Sequence, residues 1–177
     1  MAGVGPPEDP TFSQMRLGTR LLFAGFRYTP NLVGAATDLL VGRKARRSDP
    51  ETLRKDIEHQ MKYLRAIVAP EERELVEKPN FIDELIEDLQ EQFRQGPRGF
   101  IRDGQLLAES WDFKLEDVSF PQIRLYYGSK DINTPPQMGM RMAAKLKESV
   151  YKEYENETHM TLFENHGVEI LRDIAEH

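Results

Sequence analysis

Cysteine is missing altogether from this sequence. Its absence excludes a disulfide framework, thiolate metal sites and a thiol nucleophile. Long apolar runs are missing as well. The most apolar stretch, Leu17 to Val41, is broken by Arg20, Arg27, Pro30 and Asp38, well short of the roughly 20 apolar residues that a membrane helix needs. The opening residues have neither a basic region nor an apolar one, so they are not a secretory signal. An excess of positive charge is lacking too. The 24 Lys and Arg are outnumbered by 30 Asp and Glu, for a net charge of −6, which gives no general drive toward nucleic acid or an anionic membrane. Aromatics are few at 9%, but enough to argue against wholesale disorder. The length of 177 residues, 39% of them hydrophobic, allows one domain with a real core.

The first half reads as helical. Met1–Pro10 is a Gly- and Pro-rich loop. Ser13 to Tyr28 reads as a helix with Met15, Leu17, Leu21 and Leu22 apolar. Thr29-Pro30 breaks and restarts it, and Leu32, Val33, Ala36, Leu39 and Leu40 continue at helical spacing to Val41. Arg43–Arg47 is a basic run expected to be a solvated linker, since no aromatic is interleaved for stacking on bases. Asp49-Pro50-Glu51 is a strong helix start, with a capping Asp, Pro at the first position and an acidic first turn. Leu53, Ile57, Met61, Leu64 and Ile67 form one stripe, ended by Pro70. A short charged helix is expected over Glu71–Glu77, and another after Asn80 with Phe81, Ile82, Leu85, Ile86, Leu89 and Phe93 on one face and Gly96 just past its end.

The pattern changes after the turn-rich Gly96-Pro97-Arg98-Gly99. A helix is expected over Phe100–Leu107 and an extended stretch from Trp111. A strand is expected over Pro121–Gly128 with Ile123, Leu125 and Tyr127 on one face. Thr134-Pro135 caps and starts a helix carrying Met138, Met142, Ala143 and Leu146. A second strand over Val150–Tyr154 precedes a terminal helix over Leu162–Glu176, with Phe163, Ile170, Leu171 and Ile174 apolar. The order β-α-β-α indicates a parallel α/β sheet. Two strands alone make a marginal one, because parallel sheets are buried on both faces. The expectation is therefore the end of a larger sheet.

In parallel α/β folds, catalytic groups collect at the carboxyl ends of strands. Asp131 follows the first strand and His159 the second. Alone, Asp131 reads as a turn or capping residue and His159 as a surface or packing histidine. Together they form a recognisable pair: a strand-end Asp fixes the tautomer of an imidazole, which serves as general base and then acid. The third member of such a set is a nucleophile on a G-x-S-x-G elbow, upstream of the Asp in this chain order. No such motif occurs. Ser13, Ser48, Ser110, Ser119, Ser129 and Ser149 all lack the flanking glycines, and the order places the nucleophile before Met1.

Phe93–Gly99, Asp103 and Trp111–Val118 resemble the segment leaving the helical cap of α/β-hydrolase-fold proteins. Tyr127–Pro135 resembles their acid-bearing loop, and Glu155–His166 the loop of the catalytic histidine with the helix after it. Ala2–Pro6 resembles the end of the strand that precedes the cap. The resemblance implies a partial α/β-hydrolase fold: a loop over 1–10 at the end of a core strand, a helical cap over 11–99, and the carboxy-terminal part of the core over 100–177. It implies Asp131 as triad acid and His159 as triad histidine. His166 is a poorer candidate, and His59 and His177 are expected to be solvated. The implied activity is hydrolysis of an ester, amide or related bond of a small-molecule substrate through a covalent intermediate. The isolated chain is expected to be inactive, since nucleophile and oxyanion hole have no counterpart here. Self-association through the exposed edge of the first strand is expected, as is a cytoplasmic location. No cofactor, metal, nucleic acid or membrane is implied. The alternative is a non-catalytic helical module that binds a protein partner through helices in 50–95.

Overall fold

A computed structural model describes residues 3–64, 70–78 and 80–176, with the side chains of 62–64 left aside. Helices predominate, and among the described residues a single sheet of two parallel strands makes the fold mixed α/β. It divides into two compact units. One comprises Met1–Leu21 with Glu109–His177, the other Leu22–Ala108.

The second unit is helical. The helix α1 (Leu17–Tyr28) enters it, and α2 (Pro30–Thr37), α3 (Arg43–Arg47), α4 (Pro50–Leu64), α5 (Arg73–Val76), α6 (Phe81–Phe93) and α7 (Arg98–Ala108) follow. A π-helical turn, Asp38–Gly42, joins α2 to α3. Asp49 caps α4 as expected. Its carboxylate accepts the Thr52 N–H at 3.0 Å and the Thr52 hydroxyl at 2.7 Å, satisfying donors that a helix start leaves open. Asn80 precedes α6 without a side-chain capping bond. Gly96 ends the same stretch at φ +86°, a conformation that favours glycine.

The core of this unit is Ala45, Leu53, Ile57, Met61, Val76, Ile86 and Phe93, with Phe81, Ile82, Leu85 and Leu89 packed against it. The apolar stripe of α6 is therefore turned inward. Leu64 and Ile67, the last members of the α4 stripe, lie outside the described side chains. The basic run Arg43–Arg47 is a helical turn rather than a linker. Ala45 is buried within it, Arg46 pairs with Asp38 at 2.8 Å and bonds the Phe93 carbonyl at 3.3 Å, and Lys44 pairs with Asp56 at 2.8 Å. Helical spacing placed Leu32, Leu39 and Leu40 on an apolar face, yet all three are exposed.

In the first unit, the segment expected to be helical from Ser13 begins with a 3-10 turn, Pro10–Gln14. Met15 turns extended there and is buried, while Leu17 and Leu21 on α1 are exposed. The strand β1 (Arg124–Gly128), helix α8 (Pro136–Ala143), strand β2 (Val150–Tyr154) and helix α9 (Thr161–Ala175) follow in the expected order. The strands pair in parallel, with Arg124 opposite Val150 and Gly128 opposite Tyr154. Successive strand residues face opposite sides, and the two sides have separate cores. Leu125 and Tyr127 pack with Met142 and Leu146, while Tyr126 packs with Tyr154, Leu162 and Ile170. Hence α8 covers one face of β1 and α9 the other. Phe163, Leu171 and Ile174, expected among the apolar contacts of α9, are exposed.

Candidate functional site

The carboxyl ends of β1 and β2 lie side by side, and what brings their loops together is backbone. The Ser129 N–H donates to the Tyr154 carbonyl at 2.9 Å and the Lys130 N–H to the Glu157 carbonyl at 2.9 Å. Ser129, a turn residue by sequence, accepts the Asn156 N–H on its hydroxyl at 2.8 Å. Asn156 holds φ at +65°, a conformation that Asn tolerates better than most residues. Gly128 is required for this approach: a Cβ there would stand 2.3 Å from the Glu157 carbonyl oxygen.

Asp131 sits in the turn after β1 and its side chain is fully buried. Its Oδ1 accepts the N–H groups of Asn133 and Thr134, both at 2.8 Å. Its Oδ2 lies 2.7 Å from the Thr134 hydroxyl, which donates to it, and 2.8 Å from His159 Nδ1. Burial pushes the Asp131 carboxyl up, but the bonds from His159 and Thr134 outweigh it and hold the acid below its ordinary value. The turn is fixed from outside as well. The Ile132 carbonyl accepts the Arg16 N–H at 2.8 Å, and Asn133 Oδ1 accepts the Thr19 hydroxyl at 3.1 Å.

His159 lies just ahead of α9. The Thr158 N–H donates to the Thr161 hydroxyl at 2.8 Å and the Thr161 N–H to the Thr158 hydroxyl at 3.3 Å. This reciprocal pair, like a capping box, starts the helix and fixes the loop's exit. The imidazole is 41% exposed. With an anionic Asp131 beside Nδ1, the neutral ring carries its proton on Nδ1 and its lone pair on Nε2. That is the arrangement a general base needs: one nitrogen held by a buried carboxylate, the other able to take a proton.

Asp131 and His159 are thus brought together. His166 is not part of this pair; its Nε2 is 3.1 Å from Glu157 Oε1. His59 is exposed on α4, and His177 lies outside the described residues. Thr134 was expected to cap α8. Instead the helix starts at Pro136 with Pro135 in the cap position, and the Thr134 hydroxyl, 3.2 Å from His159 Nδ1, serves the carboxylate. Its local signal was that of a helix start, so sequence reasoning missed it. Gly128 and Glu157 were also missed, because each is defined by a contact between loops; the Thr158–Thr161 pair is local but lacks the Glu or Gln of the usual capping-box signature.

Among the described residues, no group of three or more His, Asp or Glu stands in an arrangement that could hold a metal ion, and no helix is long and apolar enough to cross a membrane. No family model, curated protein or solved structure matches the chain.

Proposed function

We propose that this chain is the carboxy-terminal part of an α/β-hydrolase, contributing a helical cap and the Asp–His arm of a nucleophile-His-Asp triad. The observation that carries the reading is the 2.8 Å bond from His159 Nδ1 to a fully buried Asp131 at the ends of two consecutive parallel strands. The resemblance of Tyr127–Pro135 and Glu155–His166 to the two triad loops of that family supports it. In this mechanism His159 Nε2 removes the proton of the nucleophile as the nucleophile attacks a carbonyl carbon. His159 then returns that proton to the leaving group and later deprotonates the water that cleaves the covalent intermediate. Asp131 keeps Nδ1 protonated and stabilises the imidazolium. The nucleophile and the oxyanion donors come from another segment or chain, because no serine of this sequence stands on a G-x-S-x-G elbow. The substrate is a small molecule with an ester, amide or related bond. The alternative was a helical module binding through helices in 50–95, but the Phe81–Phe93 stripe among them packs into the core of the helical unit itself.

The protein isolated from its own source provides the test. Joined or bound to a G-x-S-x-G segment, it should react with a fluorophosphonate and hydrolyse activated esters. The 177-residue chain by itself should do neither. Stoichiometric labelling of the isolated chain that is lost on His159→Ala would refute the reading, as would a native complex with full esterase activity after Asp131→Asn.

A further inference from the structure

Glu157 stands two residues before His159 and is tied at both its main chain and its side chain. Its carbonyl accepts the Lys130 N–H at 2.9 Å in the turn that carries Asp131. Its carboxylate, with the side chain only 12% exposed, lies 3.1 Å from His166 Nε2 and receives Asn165 Nδ2 at 3.2 Å on each oxygen. Burial raises this carboxyl, but the bonds from Thr161, Asn165 and His166 bring it below its ordinary value. His166 is itself braced from the other side. Its Nδ1 lies 3.4 Å from Glu169 Oε2, and its ring stands 4.3 Å, centroid to centroid, from that of Tyr154. The Tyr154 hydroxyl donates to Glu169 Oε1 at 3.0 Å, and Lys152 pairs with the same oxygen at 2.5 Å. A chain of contacts therefore runs from the end of β2 through the first half of α9 to the loop bearing His159.

We propose that Glu157, clasped by Asn165 and His166, is a positioning residue that holds the His159 loop against the Asp131 turn. The catalytic meaning of the clasp rests on the hydrolase reading; its geometry does not. The loop is also tied to the Asp131 turn by the main-chain bonds of Ser129 and Lys130, by the Asn156 N–H on the Ser129 hydroxyl, and by the contacts of His159 Nδ1 with Asp131 and Thr134. A charged, nearly buried acceptor with three outside donors fixes one rotamer of Glu157 and with it the path of the backbone into His159. Release of the clasp lets the loop sample positions in which Nδ1 and Oδ2 no longer meet. Hydrogen bonds to a charged acceptor are the stronger kind, so the effect should be large at His159 and small elsewhere.

Proton and nitrogen NMR of the histidine-labelled 177-residue chain tests this without any activity. The observable is water exchange of the His159 Nδ1–H, divided by exchange of the Tyr127 amide in β1. General loss of stability moves both rates together, whereas loss of positioning moves only the first. His166→Leu and Asn165→Leu should each raise the ratio by about tenfold, and His166→Gln, which keeps an amide donor toward Glu157, should bring it back to within about threefold of wild type. A ratio within about twofold of wild type in both leucine variants overturns the proposal. Should His166→Leu not fold, Asn165→Leu decides alone, since that side chain is exposed. Failure of hydrolysis in the completed protein overturns the hydrolase reading and leaves this result standing.

Discussion

Asp131→Asn perturbs the site with the least change of shape, and the geometry dictates the outcome. Oδ1 accepts two main-chain N–H groups at 2.8 Å, so the amide oxygen of the variant must take that place. The amide nitrogen then occupies the Oδ2 position, facing the Thr134 hydroxyl and His159 Nδ1. It is a donor only, so His159 must accept at Nδ1 and carry its proton on Nε2. Thr134 must likewise turn its hydroxyl from donor to acceptor. All four bonds to Asp131 lose their charge assistance, and those of the Thr134 hydroxyl and His159 Nδ1 reverse direction, a cost of about 1–3 kcal/mol. For a chain of this size that lowers the melting temperature by about 2–10 °C. On the hydrolase reading, the wrong tautomer in the completed enzyme costs about 10⁴-fold in turnover, as it does in serine proteases. Nitrogen NMR of the imidazole reads the tautomer directly in the chain alone, and thermal unfolding reads the stability. The acid dependence has a definite sign. The folded-state acid is held below its ordinary value near 3.8. The stability it contributes is therefore complete above that value and is lost as pH falls through the lower folded value. The gap between wild type and variant should narrow only in strong acid. An Asn variant that keeps the proton on Nδ1, or that melts within about 1 °C of wild type at neutral pH, contradicts the reasoning.

Gly128→Ala should destabilise the first unit by about 1–3 kcal/mol, because the new methyl meets a carbonyl oxygen at 2.3 Å rather than a side chain able to move; urea unfolding measures it, and a loss under about 0.5 kcal/mol refutes the close approach. Self-association is expected through β1, which among the described residues pairs only with β2; sedimentation should show dimers or larger species, and a monomer at all concentrations contradicts this.

The parts legible in the sequence are those set by local chemistry. Asp49-Pro50, Gly96 and the alternation around Leu125 and Tyr127 each placed an element boundary or face because the cue and its consequence lie within a turn of each other. Asp131 and His159 were legible for a related reason: strand ends are local, and the parallel pairing of β1 with β2 brings consecutive ends together. Thr134 was misread because a Thr-Pro helix start is a local cue that a tertiary partner, the Asp131 carboxylate, overrides. Glu157 and His166 were unreadable as a pair, since their meeting depends on how α9 sits over the loop. Periodicity marked Leu32, Leu39, Phe163 and Leu171 as apolar positions, but a period states which residues share a face and not what covers it.

The two strands differ in a way that bears on the reading of the site. Tyr126 and Tyr127 of β1 are almost wholly buried, whereas Val150 of β2 is exposed and Tyr154 alone of that strand is buried. The flanking helices therefore cover β1 more fully than β2, of which they reach Tyr151 and Tyr154. In a parallel sheet, strands covered on both faces are interior strands, and poorly covered ones are edges. By its side chains β1 is interior; by its hydrogen bonds it is paired on one side among the described residues. On the hydrolase reading proposed above, the sheet continues past β1, away from β2, and the conflict disappears. Asp131 and His159 stand at the carboxyl ends of β1 and β2, and on that same reading a nucleophile on a further strand end would meet the imidazole. The asymmetry in burial thus favours completion of the site from the β1 side, by a strand that also relieves the unpaired edge.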